Sequence, residues 1–430
     1  MIVGSGGREH ALAVACHAQD AELFFSHANA GMERLGTDLD LQQGRFIISA
    51  ARQNDIELAV IGPEQPLLAG LADGFRAEGV PTVGASSAMA RLEGSKSFAT
   101  GFMQRYGVPH PDTLVTASLE EAEKYVNSRK AREYVIKADG VAAGKGVKLP
   151  KNRPEAQQIV TGMMSGTMFG EAGQIINFQD CLHGEEVSMI ALLDGKKAHV
   201  LGLAQDYKRL LDGDKGPNTG GMGSYSPVSP GILDDRQTGL MYEALDNTLN
   251  GLNREGINSP GFLYIGFMLA DEFDGDPVVL EYNVRPGDPE TQVIVPLLQD
   301  AGVDVPELLR MAAHGQLEGD KISTARRSGQ FALSVCLAAE GYPDNPKTND
   351  PVYSVNGSSD LKVYHGATQY RYDDGGRIFT VGGRVLYPTS LGDTPAEAAG
   401  RVYSAIGDEI SFKGMQYRQD IGHQAIAASR

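Results

Sequence analysis

Three polar side chains of complementary chemistry follow one another in the segment 278–292, which reads VVLEYNVRPGDPETQ. Its apolar, β-prone opening predicts a strand. Glu281 and Asn283 lie two residues apart, so on a strand both point to the same face. A carboxylate beside an amide oxygen is a hard ligand pair that suits Mg²⁺, and Arg285 adds a guanidinium fork for phosphate or carboxylate. The segment therefore predicts a metal and anion site where the strand runs into a Pro/Gly turn.

A second candidate site lies near residue 1, where a short apolar strand runs into the glycine turn 4–9, GSGGRE, and a helical pattern. Strand, glycine turn and helix is the arrangement in which backbone N–H groups bind an anion. An arginine and a glutamate stand where a dinucleotide fingerprint needs its third glycine, so Arg8 favours a phosphate monoester. The predicted strand 56–61 ends in a similar turn, 62–67. Because the carboxyl ends of parallel strands meet at one edge of a sheet, we expect the two turns to lie side by side.

Three lysines occupy positions from which they could reach phosphate groups. Lys96 opens a predicted helix, and Lys137 ends the predicted strand YVIK. Lys145 lies at the tip of a glycine-rich hairpin, 138–147, that could close over phosphates. This hairpin is not a P-loop, because GxxxxGK[ST] is absent and a strand rather than a helix follows. Further along, the segment 205–223 is so rich in glycine and polar residues that we expect a long functional loop.

The composition is ordinary for a globular protein and argues against several classes of function. A length of 430 residues suggests about three domains, and a formal net charge of -17 argues against a nucleic-acid partner. No apolar run reaches the roughly 18 residues of a membrane helix, and no signal peptide is expected. Cys16, Cys181 and Cys336 are far apart and form no CxxC pair, so neither a zinc site nor a disulfide is predicted. A reducing compartment fits this pattern, and we expect a cytoplasmic protein.

These motifs stand in one order along nearly the whole chain, and by them it resembles the phosphoribosylamine–glycine ligases (glycinamide ribonucleotide synthetases). This is a family of ATP-grasp enzymes in de novo purine (IMP) biosynthesis. The segments GPNTGGMG and RxGDPETQ, the second with Pro286 at its variable position, are highly specific to this family and its near relatives. The motifs that carry the resemblance are GSGGREHALA at residue 4, GPEQPL at 62, LEGSKSF at 92, VIKADGVAAGKGV at 135, GEEVS at 184, GPNTGGMGSYSP at 216, LEYNVRPGDPETQ at 280, GGRVL at 382 and YRQDIG at 417.

The resemblance implies a multidomain fold of mixed α/β and α+β class. A Rossmann-like (PreATP-grasp) domain is expected over residues 1–95. An ATP-grasp domain would follow over 96–325, with a mobile lid subdomain at about 115–190. A small α+β domain is expected over 326–430.

The implied reaction joins glycine to 5-phosphoribosylamine. ATP phosphorylates the glycine carboxylate, and the amine of phosphoribosylamine attacks the resulting glycyl phosphate. The products would be glycinamide ribonucleotide, ADP and phosphate. Mg²⁺ or Mn²⁺ is the expected cofactor, and the chain is expected to act as a monomer, without nucleic-acid or membrane partners.

The resemblance also implies roles for single residues. The expected metal ligands are Glu281 and Asn283. The residues expected to bind ATP are Lys96, Lys137, Lys145, Glu186 on the ribose hydroxyls and Glu185 as its alternative, with the backbone near 179–182 on adenine. The residues expected to hold the ribose phosphate of phosphoribosylamine are Gly6, Gly7, Arg8 and Glu64. The residues expected around glycine and the acyl phosphate are Arg285 and Asp206.

Three other functions remain open at this level. Another ATP-grasp carboxylate–amine ligase, or a biotin-carboxylase-like enzyme, would differ in its small substrate, so dependence on glycine would exclude it. A nicotinamide dehydrogenase is suggested by the GSGGRE turn alone and leaves the lysines without a purpose. An inactive nucleotide-binding module is disfavoured, because each expected charged group at the centre of the site is present.

Overall fold

A computed structural model of the chain describes residues 1–140, 146–319, 323–354 and 360–429. Its first domain is a parallel sheet with helices in the connections. The strands are β1 (Ile2–Val3), β2 (Phe24–Phe25), β3 (Thr37–Asp38), β4 (Ala59–Ile61) and β5 (Thr82–Val83). The helices are α1 (Gly7–His17), α2 (Gly44–Gln53), α3 (Glu64–Leu68), α4 (Leu71–Ala77) and α5 (Ser87–Gly94).

The strand order β3-β2-β1-β4-β5 is the doubly wound arrangement, whose ligands bind at the carboxyl ends of the strands. Strands β1 and β4 are neighbours, so the glycine turns that follow them lie side by side, as predicted. Strand β4 is shorter than the predicted strand 56–61. The N–H of Ile56 donates to the carbonyl of Ala51 at the end of α2, which leaves the first predicted residues outside the sheet.

A separate four-stranded sheet follows helix α6 (Lys96–Tyr106). Its antiparallel order is β6-β9-β7-β8. Its own core, which includes Tyr134, Ile136 and Phe178, packs under two helices. The elements are β6 (Thr113–Thr116), α7 (Leu119–Ser128), β7 (Tyr134–Ala138), β8 (Val147–Lys148), α8 (Arg153–Met164) and β9 (Ile176–Asp180). The predicted hairpin spans the turn between β7 and β8, where Lys145 lies outside the described residues.

The centre of the molecule is a large antiparallel sheet. Its strands and those beside it are β10 (Gly184–Asp194), β11 (Ala198–Asp206), β12 (Arg209–Leu211), β13 (Lys215–Asn218), β14 (Gly223–Ser226), β15 (Pro260–Ala270) and β16 (Asp276–Asn283). The helices are α9 (Asp235–Arg254), α10 (Glu290–Asp300) and α11 (Val305–Ala313). The prediction of one long loop over 205–223 is wrong, since the segment contains the ends of β11 and β14 and a β12–β13 hairpin. Strand pairing thus satisfies its polar backbone.

The C-terminal part extends this same sheet, because β14 pairs with β17. The full order is β16-β15-β10-β11-β14-β17-β23-β18, with β20 also paired to β23. The remaining elements are β17 (Phe331–Val335), β18 (Leu337–Ala338), β19 (Val352–Ser354), β20 (Lys362–His365), β21 (Thr368–Arg371), β22 (Arg377–Thr380), β23 (Arg384–Gly392), α12 (Pro395–Ala405), β24 (Ile410–Phe412) and α13 (His423–Ala428). Within the described ranges, each helix is too short or too polar to cross a membrane.

Candidate active site

The site is built around the carboxyl end of strand β16. Tyr282 is buried on one face of this strand, where its hydroxyl lies 2.7 Å from the Oγ1 atom of Thr248 on helix α9. Glu281 and Asn283 therefore point to the opposite face, as predicted. Gly266 stands opposite Glu281 on β15. A Cβ at this glycine would approach the Cγ atom of Glu281 to 3.3 Å, so the absence of a side chain keeps the space beside the carboxylate open.

The chemistry of Glu281 and Asn283 fits a divalent cation. Burial alone would raise the pKa of Glu281, but the lysines around it, Lys208 first, hold that pKa below its ordinary value. Asn283 presents its Oδ1 atom, which accepts a 3.3 Å hydrogen bond from Arg285. Two protein oxygens do not complete an octahedral shell, and phosphate and water commonly supply the rest. The described part of the chain has no cluster of three or more His, Cys, Asp or Glu side chains that could hold a metal by itself.

Three lysines converge on Glu281: Lys96, Lys137 and Lys208 all act on the charge of its carboxylate. Lys137 is the last residue but one of strand β7, and its side chain is buried. Burial lowers the pKa of Lys137 to about 8, opposed by Glu281 and aided by Lys96. The amine is thus mostly protonated at neutral pH. A partly desolvated cluster of this kind favours a ligand of high negative charge.

The position of Lys96 is set by Asp139, which follows strand β7. The backbone N–H of Lys96 donates to the Asp139 carbonyl at 3.0 Å, and the side chain of Asp139 accepts from Ser95 Oγ at 3.0 Å and from the Ser97 N–H at 2.5 Å. These bonds hold the first turn of α6 against the end of β7. Lys96 and Lys137 therefore enter the site from two elements that are fixed to each other.

A half-buried acid–base network lies beside these lysines. Lys208 forms an ion pair with Glu186. Burial acts to lower the pKa of Lys208, but Glu186 and Asp206 outweigh it and raise that pKa well above the ordinary value. Burial raises the pKa of Asp206 to about 7, opposed by Lys208 and reinforced by Glu290. Burial also raises the pKa of Glu290, the first residue of α10. The network can therefore exchange a proton near neutral pH.

Glu185 and Glu186, the alternatives predicted for the ribose hydroxyls, are adjacent on strand β10 and so point to opposite faces. Glu186 faces the lysine cluster through Lys208. Glu185 accepts a 3.0 Å hydrogen bond from Gln205 Nε2 on the neighbouring strand β11. The two carboxylates therefore have different surroundings.

Arg285 lies in a cluster of ion pairs between the first domain and the turn after β16. Its Nε atom is 3.0 Å from Glu93 Oε1 and 3.1 Å from Glu64 Oε2. The Nη2 atom of Arg8 lies 3.8 Å from the same Glu64 oxygen, and its Nε atom donates to Glu9 at 2.7 Å. Burial raises the pKa of Glu93, opposed by Arg285. The structure thus joins the predicted residues Arg8, Glu64 and Arg285 through their side chains.

Gly6 and Gly7 line a different feature, a cleft of about 340 Å³ between the first domain and the C-terminal part. Gly6 donates its N–H to Glu9 at 2.7 Å. Gly7 opens helix α1, so its N–H has no carbonyl partner one turn back. Arg8 and Glu64 are not among the residues that line this cleft. The lining residues are Ser5, Gly6, Gly7, His27, Ala28, Asn29, Asp288, Gly366, Ala367, Thr368, Gln369, Val381, Arg384 and Tyr387.

Several charged groups of the site were missed by the sequence prediction. They are Lys208, Glu290, Glu93, Asp139 and Arg384. A signal existed for each, because all five lie inside or beside motifs of the resemblance, or in the segment expected to be functional. Single-sequence reasoning gave no reason to select them within those segments. Their burial and mutual charges depend on contacts between domains.

Comparison with known proteins gives matches to family models in three consecutive parts of the chain. Three family models match, described as Phosphoribosylglycinamide synthetase N domain over residues 1–93, ATP-grasp (A) domain over 94–291 and C domain over 332–424. A phosphoribosylamine–glycine ligase from Ralstonia nicotianae is 39% identical over 431 residues, covering 99% of each chain. One from Allochromatium vinosum is 42% identical, covering 100% of this chain and 99% of the relative.

Solved structures show the same fold. The crystal structure of a phosphoribosylamine–glycine ligase from Thermotoga maritima matches with a TM-score of 0.84 and 35% identity, over 98% of this chain and 99% of that one. A biotin carboxylase from Campylobacter jejuni matches with a TM-score of 0.74 at 14% identity, over 100% of this chain and 95% of that one. This second likeness concerns the fold alone.

Fold and site together define an ATP-grasp ligase with a lysine cluster around Glu281 and a separate cleft at a glycine turn. The chain belongs to the phosphoribosylglycinamide synthetase family, whose members are the phosphoribosylamine–glycine ligases.

Proposed function

We propose that this chain joins glycine to 5-phosphoribosylamine and converts ATP to ADP and phosphate, which makes it an enzyme of purine biosynthesis. The observation that carries this proposal is the convergence of Lys96, Lys137 and Lys208 on the Glu281 carboxylate, beside a glycine-lined cleft. The lysine cluster supplies positive charge for a triphosphate, and the cleft supplies room for a second substrate.

The reaction begins with ATP at the lysine cluster. Lys96 and Lys137 bind its phosphates, and Lys145, which lies outside the described residues, is proposed to act from the lid. An oxygen of the glycine carboxylate attacks the γ-phosphorus, the bond from phosphorus to the bridging oxygen breaks, and ADP leaves. Positioning and neutralisation of charge account for most of the acceleration in phosphoryl transfer.

Glu281 and Asn283 are proposed to hold a divalent cation, Mg²⁺ or Mn²⁺. When bound, such an ion neutralises phosphate charge and orients the triphosphate. The two side chains fit this role, since one is a charged carboxylate and the other an amide oxygen on the same face of β16.

The second half of the reaction forms the amide. The amine of phosphoribosylamine attacks the carbonyl carbon of glycyl phosphate, and the phosphate leaves with the electron pair of the broken C–O bond. Arg285 is proposed to orient the glycine and acyl phosphate groups. Asp206 is proposed to accept the proton that the attacking amine releases, since a carboxylate whose pKa is about 7 suits a general base.

The remaining assignments concern the two nucleotide-like substrates. Glu186, with Glu185 as the alternative, is proposed for the ribose hydroxyls of ATP, and the backbone near 179–182 for its adenine. Gly6, Gly7 and Arg8, with Glu64 nearby, are proposed to hold the ribose phosphate of phosphoribosylamine. Support comes from the position of both glycines in the cleft and of both side chains in the ion-pair cluster beside Arg285.

Three further expectations are part of the proposal. The domains are taken to divide at 95/96 and 325/326, with the lid at about 115–190. The protein is taken to act as a monomer. A cytoplasmic location is supported by three free cysteines, of which Cys16 and Cys336 are buried.

ADP formation from MgATP tests this function. Phosphoribosylamine is generated in situ from ribose 5-phosphate and ammonia, and each component is omitted in turn. We expect ADP only when glycine and phosphoribosylamine are both present. ADP formed with another amino acid in place of glycine would contradict the proposed substrate, and ADP formed without any amine acceptor would contradict the ligase reaction.

A further inference from the structure

We propose that Arg384 is a further side chain that binds the phosphate of phosphoribosylamine, so that the C-terminal part of the chain completes the substrate site. This inference rests on the proposed function and adds a residue from another domain to the cleft. Arg384 opens strand β23 and lines the cleft together with Gly6 and Gly7.

The hydrogen bonds of Arg384 leave one edge of its guanidinium available. The Nη1 atom donates to the carbonyls of Gly220 and Asp288, each at 2.6 Å, and Nη2 donates to Asp288 Oδ2 at 3.2 Å. These bonds use both hydrogens of Nη1 and one of Nη2. The Nε–H and the second Nη2–H have no protein acceptor among the described residues. They are parallel donors, the geometry in which arginine binds a phosphate in a bidentate manner.

The surroundings of Arg384 fix the direction of that edge. Asp288 occupies the adjacent edge, formed by Nη1 and Nη2, and its own carboxylate accepts a 2.6 Å hydrogen bond from Gln292 on α10. Gly220 packs beside the guanidinium, since a Cβ at this glycine would lie 3.1 Å from the Arg384 Cζ atom. Gly383 allows the approach of Tyr342, whose ring would lie 2.3 Å from a Cβ there. Arg384 is therefore held rigidly, which reduces the conformational entropy lost on binding.

The rest of the cleft suits a sugar phosphate better than phosphate alone. Its volume, about 340 Å³, is in the range of small-molecule sites. The Asp288 carboxylate also lines it and can accept a hydrogen bond from a sugar hydroxyl. Asn29 links the two sides of the cleft, because its Nδ2 atom donates to the carbonyl of Ser5 at 2.9 Å and to that of His365 at 2.7 Å. Phosphate at Arg384 and hydroxyl at Asp288 together define a phosphorylated sugar.

Binding of ribose 5-phosphate and of ribose to the full-length protein tests the assignment. Arg384→Lys keeps the charge and loses the fork, whereas Arg384→Gln loses both. The control is Arg377→Gln, an exposed arginine of the same domain that pairs with Asp374. Dissociation constants are measured for both sugars and for inorganic phosphate. Steady-state KM values are measured for phosphoribosylamine, ATP and glycine.

We expect the wild type and Arg377→Gln to bind ribose 5-phosphate more tightly than ribose or inorganic phosphate. Arg384→Gln should lose this preference through weaker binding of the phosphorylated sugar alone, by roughly 10- to 100-fold, as expected for charged hydrogen bonds. KM for phosphoribosylamine should rise by a similar factor, while KM for ATP and glycine stay within about twofold. Arg384→Lys should restore only part of the affinity.

Equal losses for ribose and ribose 5-phosphate, or equal increases in all three KM values, would overturn the proposal, because they would show a structural role only. A wild type that does not prefer ribose 5-phosphate to ribose would overturn it as well. Two measurements on the wild-type protein, ribose 5-phosphate binding and glycine-dependent ADP formation, distinguish failure of the phosphate site from failure of the proposed function. Preference for ribose 5-phosphate that depends on Arg384, without glycine-dependent ADP formation, would uphold the phosphate site and reject the ligase reaction.

Discussion

Glu281 is the single residue on which the proposed chemistry depends most. Burial disfavours its charged form, and the nearby lysines hold its pKa below the ordinary value all the same. Glu281→Gln keeps the shape of the side chain and removes the charge. We expect kcat/KM to fall by about 100-fold or more, since several kcal/mol of charge stabilisation at the phosphates is lost. The melting temperature should change little, and ADP formation measures the loss.

Glu243→Gln is the matched control, since Glu243 lies exposed on helix α9, outside the site. This variant should keep wild-type activity. An active Glu281→Gln enzyme would mean that the carboxylate neither binds a metal nor organises the lysines.

The raised pKa of Asp206 predicts how the stability of the protein depends on pH. Its pKa is about 7 in the folded protein, above the roughly 3.9 of an unfolded chain. The folded state therefore binds the extra proton between these values, and the contribution of Asp206 to stability falls as pH rises from about 4 to about 7. Asp206→Asn removes this dependence. We expect the loss of stability between pH 5 and pH 7 to be smaller in the variant, by about 2 kcal/mol.

Urea unfolding of the ligand-free protein at several pH values measures this difference. Asp408→Asn, an exposed position, serves as the control and should follow the wild type. Parallel pH profiles for the wild type and Asp206→Asn would contradict the raised pKa.

Single residues of the site were predictable where one short motif carries the chemistry. Glu281 and Asn283 follow from their spacing on a strand, and Gly6 from the glycine turn. Lys208 and Arg384 were not selected, because neither stands in a local pattern of its own. Their importance arises from carboxylates and carbonyls that come from other parts of the chain.

At the scale of elements, the β12–β13 hairpin is held by a buried arginine. The Arg418 side chain is 0% exposed and donates to Asp420 at 2.7 and 2.8 Å and to Asp214 at 2.6 Å. Arg418→Met removes the charged partner of Asp420, which keeps the 2.8 Å hydrogen bond that the Gly213 N–H donates to it. We expect the free energy of unfolding to fall by about 2 to 3 kcal/mol, less than for a fully buried pair because Asp214 is exposed.

Chemical denaturation measures this loss, and ADP formation should fall with it, because the hairpin leads into the Gly220 segment beside the cleft. Arg377→Met is the control, since its ion pair with Asp374 is exposed and should matter little. Equal stabilities of the two variants would show that Arg418 does not anchor the hairpin.

The packing of helix α1 against strand β23 gives a second prediction at this scale. A Cβ at Gly7 would lie 2.5 Å from the Tyr387 ring and 2.6 Å from Gln292 Nε2. Gly7→Ala should therefore push the two elements apart, lower stability by about 1 to 3 kcal/mol and raise KM for phosphoribosylamine. KM for ATP should change little, because the lysine cluster lies elsewhere.

Gly400→Ala is the opposite case, a glycine inside helix α12 with no atom within 4 Å of the new Cβ. It should be neutral or stabilising by about 0.5 to 1 kcal/mol. Thermal unfolding of both variants tests the pair. A Gly7→Ala protein as stable and as active as Gly400→Ala would contradict the close contact.

Elements with a strong local signal were predicted well, and those defined by pairing were not. Helix α6 and strand β7 follow from capping and apolar patterns. The polar segment 205–223 shows neither signal. It nevertheless forms the ends of β11 and β14, which pair with each other within the large sheet, and a separate two-stranded β12–β13 hairpin. Turn 284–289 leads directly into helix α10. This helix is buried because α1, the central strands β11 and β14, and β17 and β23 of the C-terminal part pack against it.

At the scale of the whole molecule, no single domain contains the site. The first domain supplies Gly6 and Gly7, the four-stranded sheet that contains β7 supplies Lys137, the central sheet supplies Glu281, and the C-terminal part supplies Arg384. The multidomain fold class was predicted, and the family models match all three parts. The continuous sheet from β16 to β18 was not predicted, because the β14–β17 pairing joins segments far apart in the sequence.

The glycyl phosphate intermediate is tested most directly by following an oxygen atom through the reaction. The purified protein is incubated with MgATP, phosphoribosylamine and glycine labelled with ¹⁸O in both carboxylate oxygens. The released phosphate is analysed by mass spectrometry. In the proposed reaction a carboxylate oxygen attacks the γ-phosphorus and leaves with the phosphate when the amide forms. We expect one ¹⁸O atom in each phosphate released, with the other in the amide product. Unlabelled phosphate, formed at the same rate as product, would contradict the glycyl phosphate intermediate.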